Sequence, residues 1–126
     1  MFEVCVEATF AAAHQLRNYK GKCENLHGHN YKVRVTVAGE KLNSTGLVAD
    51  FGEVKAVLRE IVGRLDHRFL NELEPFIELN PSAENIALYF YQELDKGLKE
   101  GASEVPIHVS EVIVWETDTS SAAYRP

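Results

Sequence analysis

The chain has few cysteines, no block of basic residues and no long apolar run. Each shortage removes a class of function. Two cysteines, Cys5 and Cys23, do not make a disulfide framework. Thirteen Lys and Arg stand against nineteen Asp and Glu, for a net charge of −6. With no basic cluster, no nucleic-acid partner is expected, although a local basic patch would still hold a small phosphorylated anion. No stretch approaches the roughly 20 apolar residues of a spanning helix, so no membrane partner is expected either. Met1-Phe2-Glu3-Val4 lacks the basic segment that opens a secretory signal. The expectation is a cytoplasmic protein with both thiols reduced. There is no internal repeat, low-complexity tract or linker, and 126 residues fit one domain, residues 1–126.

What the chain does have is concentrated in Cys23-Glu24-Asn25-Leu26-His27-Gly28-His29. Residues 27–38 read as a β-strand, with Tyr31, Val33, Val35 and Val37 on the face of His27 and His29. On a strand, side chains i and i+2 share a face, so the two imidazoles converge. Residues 2–14 read as another strand. Phe2, Val4, Val6, Ala8, Phe10 and Ala12 lie on one face, and His14 continues their parity. Paired antiparallel, the two strands bring His14 to His27 and His29. Three neutral imidazoles suit zinc, whose catalytic sites commonly take three protein ligands and keep a fourth position open.

Further along, Asp50 and Glu53 resemble a helix-starting capping box, followed by Val54, Val57, Leu58, Ile61, Val62 and Leu65 at helical spacing. Ser82 is the candidate N-cap of a second helix carrying Ile86, Tyr89, Phe90, Leu94 and Leu98, with Gly97 and Gly101 marking its end. Residues 107–116 predict a third long strand, residues 118–121 a turn and residues 122–125 a short return strand. The order ββααββ implies an α+β domain, a four-stranded antiparallel sheet with two helices on one face. Its open face and edges need cover, which self-association would supply.

Several polar residues stand beside this frame. Cys23 lies in a polar loop, where proximity to a metal would lower its pKa and make it a base or nucleophile. Cys5, between Val4 and Val6, is read as structural. Asp66-His67 follows the first helix. His67 there fits a favourable macrodipole contact, and it equally fits a proton shuttle oriented by Asp66. Glu116 shares a face with Val112 and Val114. It is either an exposed strand end or a carboxylate that accepts paired N–H donors from a planar ligand. His108 is read as a surface residue. Glu24 is read, on its own, as a solvated loop residue, the alternative being a second general base beside Cys23.

The whole pattern resembles the 6-pyruvoyltetrahydropterin synthase family, including 6-carboxytetrahydropterin synthases. The likeness rests on His14, Cys23-x-x-x-His27-Gly28-His29, Gly46-Leu47-Val48-x-Asp50-Phe51, Leu65-Asp66-His67, Asn80-Pro81-Ser82-Ala83-Glu84-Asn85 and Glu116-Thr117. It implies a tunnelling fold assembled as a homohexamer of two trimers, with active sites between subunits. It implies Zn2+ on His14, His27 and His29. Proton handling falls to Cys23, Asp66 and His67, and a pterin anchor to Glu116, with Ser82 and Glu84 beside the pterin. The implied substrate is 7,8-dihydroneopterin triphosphate. Arg17, Lys20, Lys22 and Arg125 are candidates for the triphosphate by position. The absence of a Gly-rich dinucleotide loop agrees with a reaction that needs no nicotinamide or flavin. The three-residue gap from Cys23 to His27 resembles the 6-carboxytetrahydropterin branch of queuosine biosynthesis. Glu24 resembles the glutamate of a branch that makes 6-hydroxymethyl-7,8-dihydropterin for folate, so the resemblance reverses its solvated reading.

Overall fold

The computed structural model of the protein describes residues 1–21, 24–101 and 103–126. Cys23 and Lys22 lie outside the described residues. Two 13-residue strands, β1 (Phe2–His14) and β2 (His27–Gly39), pair antiparallel along their whole length, from Phe2 opposite Gly39 to His14 opposite His27. Their strict alternation of apolar and polar residues gives one buried face and one wet face. Val6, Phe10, Ala12, Tyr31, Val33, Val35 and Val37 line the buried face. Phe10 stacks on Tyr31 across the strands, with centroids 4.9 Å apart. Such a pair contributes about 0.5–1.5 kcal/mol beyond its area.

Both predicted helices form and cover that face. Helix α1 (Phe51–Leu65) starts at Asp50, whose carboxylate accepts from the backbone N–H of Gly52 and Glu53. It buries Val54, Leu58, Ile61 and Leu65. Leu65 is followed by β3 (Arg68–Phe69), a two-residue strand, and a short 3-10 turn at Leu70–Glu72. Helix α2 (Ala83–Glu100) starts at Ser82, whose hydroxyl accepts from Asn85 N. It buries Ile86, Ala87, Phe90 and Leu94. Gly97 does not end this helix, which runs on to Glu100. A Cβ there would stand 2.7 Å from Val57 Cγ1, so Gly97 lets the two helices approach.

Strand β4 (His108–Thr117) pairs antiparallel with β2, and β5 (Ser120–Tyr124) with β4. The return strand therefore begins two residues before the expected boundary, its turn confined to Asp118-Thr119. Two bulges interrupt β4. Thr36 faces Glu111 while Val37 faces Val109, so Ser110 is the extra residue. That extra residue lets Val109 and Val112, an odd number apart, both reach the core. Trp115 faces Ser121 while Thr117 faces Ser120, so Glu116 occupies the second bulge.

Among the described residues the sheet has five strands in the order β3-β1-β2-β4-β5, rather than four. The added strand, β3, runs parallel to β1. Its cause lies just upstream. Ala11 N donates to Asp66 Oδ1 at 2.9 Å, and His67 N donates to Ala11 O at 2.6 Å. These two bonds dock the end of α1 onto the edge of β1, and Arg68 continues the pairing.

On the wet face, Lys32 and Arg34 lie over the Trp115 ring, and Arg34 pairs with Glu7 at 2.8 Å. Arg125 pairs with Glu111. Cys5 is exposed on this face, its Sγ 3.2 Å from Thr36 Oγ1. It is not a core residue, because it has the parity of Glu3 and Glu7 rather than that of its apolar neighbours. Among the described residues no helix is long and apolar enough to cross a membrane.

Candidate metal centre and adjoining pocket

The pairing that sets His14 opposite His27 also sets His29 opposite Ala12, and all three imidazoles gather at one end of the buried face. One ring nitrogen from each lies within 4.8 Å of the others. Backbone carbonyls select the tautomers. His14 Nδ1 donates to Pro81 O at 2.7 Å, and His27 Nδ1 donates to Asn25 O at 2.8 Å. A carbonyl only accepts, so these Nδ1 atoms carry the protons and both Nε2 atoms present lone pairs inward. The two Nε2 atoms are 3.0 Å apart. His29 Nε2 is buried with no partner among the described residues.

Facing lone pairs repel. A proton shared by His14 and His27 would relieve that pair but leave His29 Nε2 orphaned. A metal ion would satisfy all three nitrogens, and the carbonyl contacts are the outer support usual for metal-bound histidines. Burial holds the His29 pKa below its ordinary value, against the opposing pull of Glu116. That keeps the ring neutral, as ligation requires. The donor set fits zinc. It does not fit calcium or magnesium, which want oxygen ligands.

Tyr31 forms a wall of the cluster. Its ring meets those of His14 and His29 edge-on, at 5.9 and 5.4 Å between centroids. Its hydroxyl is buried without a partner among the described residues, and burial pushes its pKa far above the usual phenol value. Tyr31 had been read from sequence only as a core residue.

The bulge at Glu116 aims its carboxylate toward the cluster, 3.9 Å from His29 Nε2. It also lines a pocket of about 470 Å³ with Leu16, Ser82, Ala83, Glu84 and the β5 residues Ser120 to Ala123. Three residues singled out in the sequence, Ser82, Glu84 and Glu116, are thus brought into one concavity. Its β5 wall was not foreseen, because a short stretch of Ser and Ala carries no signal of its own. Ser82 already spends its hydroxyl on capping α2.

Glu24 is not simply solvated. Its Oε1 accepts from Leu16 N at 3.4 Å and lies 3.7 Å from His27 Nδ1. Cys23, the residue before it, lies outside the described residues.

Asp66 and His67 sit at the edge of β1. His67 adopts a left-handed backbone, φ 59°, which is strained for a residue with a Cβ. Its Nδ1 lies 3.1 Å from Asp66 Oδ2, and its side chain is 82% exposed. The Ala11 N–H bond, and then the neighbouring His67, hold the Asp66 carboxyl below its usual range. Among the described residues no hydrogen bond or ion pair joins His67 to the three imidazoles. A groove of about 520 Å³ beside it is lined by Ala11, Ala13, Gly28, His29, His67 and Phe69. The groove thus brings together His67 and His29 of the metal centre without a hydrogen bond or ion pair between them among the described residues.

Of the basic residues proposed for an anion, Arg17 is already committed. Its guanidinium donates to the carbonyls of Asn71, Phe76 and Leu79. Arg125 is paired on the wet face of the sheet.

Residues 3–126 match the sequence profile of 6-pyruvoyl tetrahydropterin synthase. A Synechocystis protein named 6-carboxy-5,6,7,8-tetrahydropterin synthase is 39% identical, over 98% of this chain and 93% of its own length. The solved structure of Caenorhabditis elegans 6-pyruvoyl tetrahydropterin synthase superposes with a TM-score of 0.82 at 29% identity, covering 100% of this chain and 97% of that one. A Plasmodium vivax 6-pyruvoyltetrahydropterin synthase, solved with a catalytic glutamate replaced by alanine, gives 0.81 at 25% identity, covering 99% and 97%.

Proposed function

Because the chain belongs to the 6-pyruvoyl tetrahydropterin synthase family and is an enzyme of the tetrahydropterin synthase type, we propose that it converts 7,8-dihydroneopterin triphosphate to 6-carboxy-5,6,7,8-tetrahydropterin. This is a lyase step that would serve queuosine biosynthesis. The observation that carries the reading is the juxtaposition of three imidazoles, one ring nitrogen of each within 4.8 Å of the others, with a pocket whose carboxylate, Glu116, stands 3.9 Å from His29 Nε2. Several relatives carry the carboxy-tetrahydropterin name, which supports that product over the pyruvoyl one.

In this reading His14, His27 and His29 hold Zn2+. When bound, the ion supplies Lewis acidity toward the oxygens of the substrate side chain. Glu116 accepts the paired N–H donors of the pterin's amino-pyrimidine edge, and Ser82 and Glu84 flank it in the pocket. Cys23 serves as base or nucleophile. His67, oriented by Asp66, moves a second proton. Because His67 is exposed and, among the described residues, makes no hydrogen bond or ion pair to its own chain's imidazoles, the assembly proposed is a homohexamer in which one subunit's Asp66–His67 pair completes another's site. The continuous buried core supports treating residues 1–126 as one domain.

The test is incubation of the zinc-loaded protein with 7,8-dihydroneopterin triphosphate. The expected products are the carboxy-tetrahydropterin, acetaldehyde and inorganic triphosphate, and their absence from a zinc-replete sample overturns the reading. A second reading is release of 6-hydroxymethyl-7,8-dihydropterin, for folate synthesis, with Glu24 as base. Glu24 lies 3.7 Å from His27, and the Plasmodium vivax relative is described as having a catalytic glutamate. Comparing Cys23→Ala with Glu24→Ala separates the two, since only the second reading requires Glu24→Ala to abolish the hydroxymethyl product.

A further inference from the structure

We propose that Asn71 and Asn80 are positioning residues of this site, their carboxamides standing in for a β-strand that holds Gln15–Arg17 and, through it, Glu24. The need for them is topological. The β1–β2 pairing ends at His14 opposite His27, so among the described residues the peptide groups of Gln15–Arg17 lie past the end of the sheet and need other partners.

Two side chains fill that place. Gln15 N donates to Asn71 Oδ1 at 2.9 Å, and Asn71 Nδ2 donates to Gln15 O at 2.7 Å. Arg17 N donates to Asn80 Oδ1 at 2.8 Å, and Asn80 Nδ2 donates to Arg17 O at 2.9 Å. A carboxamide presents a C=O acceptor and an N–H donor side by side, as one residue of a neighbouring strand presents its own C=O and N–H, so each pair copies one hydrogen-bonded residue pair of an antiparallel ladder. The i, i+2 spacing of Gln15 and Arg17 is that of one strand edge.

The other edge, presented by Leu16, is taken by Glu24. Glu24 N donates to Leu16 O at 2.9 Å, Leu16 N reaches Glu24 Oε1 at 3.4 Å, and Gln15 Nε2 donates to Glu24 O at 2.6 Å. Residues 15–17 are therefore the middle of a three-part ladder, with carboxamides on one side and Glu24 on the other. The Arg17 guanidinium bonds to carbonyls at Asn71, Phe76 and Leu79, bracing both asparagines' segments. Asn85 Nδ2 donates to Asn80 O at 2.9 Å, tying the assembly to α2. A rigid frame for Glu24 is what a side chain 3.7 Å from His27 needs, because misplacement by about 1 Å costs on the order of a hundredfold in rate.

This inference rests on the proposed function, so its test has an arm that does not. Asn71→Asp and Asn80→Asp keep the shape and the acceptor but turn the donor into an oxygen facing a carbonyl. Because Glu24 is the base only in the hydroxymethyl reading, the expected result is a kcat for that product at least about tenfold lower, with KM within about threefold and zinc content unchanged. Hydrogen exchange at the Glu24 amide should accelerate in parallel. If either variant does not fold, Asn71→Ala and Asn80→Ala remove the same carboxamide bonds without adding a charge and read the same coupling. An unchanged kcat beside an active wild type overturns the proposal. A wild type without turnover overturns the functional reading instead, and Glu24 exchange that is unaltered in the variants then overturns the coupling by itself.

Discussion

Removing the metal should lower the melting temperature by about 10 °C, and the size follows from the site. The three imidazoles form a cluster that only a cation satisfies completely, since the Nε2 atoms of His14 and His27 face each other at 3.0 Å and His29 Nε2 is buried without a partner among the described residues. An ion that binds only the folded chain, present at about 100 times its Kd, adds about 2.7 kcal/mol. For 126 residues, an unfolding entropy of about 2.1 cal/mol/K per residue gives about 0.26 kcal/mol/K, and hence about 10 °C. The assay is differential scanning calorimetry at one protein concentration, comparing chelator-stripped protein with the same sample after a zinc titration. His14→Ala also loses the bond to Pro81 O and leaves a cavity. Those costs fall on loaded and stripped forms alike, so the difference between the two isolates the metal. That difference should shrink to about 2 °C or less in His14→Ala and persist in His108→Ala, whose imidazole is exposed. A wild-type protein that melts alike with and without zinc refutes the metal-centre reasoning.

Glu116→Gln should weaken binding of a non-reacting pterin by about 1.5–3 kcal/mol, the worth of a charged hydrogen bond. Zinc content should be unchanged, and calorimetric titration giving equal affinities counts against the anchor role. Phe10→Ala empties a site between Tyr31 and Phe90, 4.9 and 5.7 Å away. It should cost about 3–5 kcal/mol in urea unfolding, and a loss under about 1 kcal/mol contradicts the packing described. Asp66 has a folded-state pKa below the ordinary 3.8. Its contribution to stability is therefore complete above that value and lost as pH falls through the lowered one. The stability gap between wild type and Asp66→Ala should be flat at neutral pH and close in acid, and a gap that does not narrow refutes the Ala11–Asp66 bond as its source.

Much of the site was legible because it is written in local periodicity. The parity of His14 with Phe10 and Ala12, and of His27 and His29 with Tyr31, specifies one face, and strand pairing then forces the imidazoles together. Asp50 and Ser82 announced their helices for an equally local reason, a side-chain acceptor placed for orphan N–H groups. Glu116 was ambiguous because strand alternation gives a face but not a bulge. Only the pairing with Ser120 and Ser121 shows that it is the extra residue, re-aimed toward His29.

The sequence by itself determined the strand faces, the helix starts and the three histidines that share the buried face, since each depends on residues within a turn or a pleat of one another. Tertiary structure alone decided the rest. It set β3 on the edge of β1 through Asp66 and Ala11. It committed Arg17 to loop carbonyls rather than to an anion, and it turned Asn71 and Asn80 into surrogate strand for residues they follow by more than 50 positions. Such contacts are fixed by which backbone groups the fold leaves unpaired, and no local pattern of residues records that.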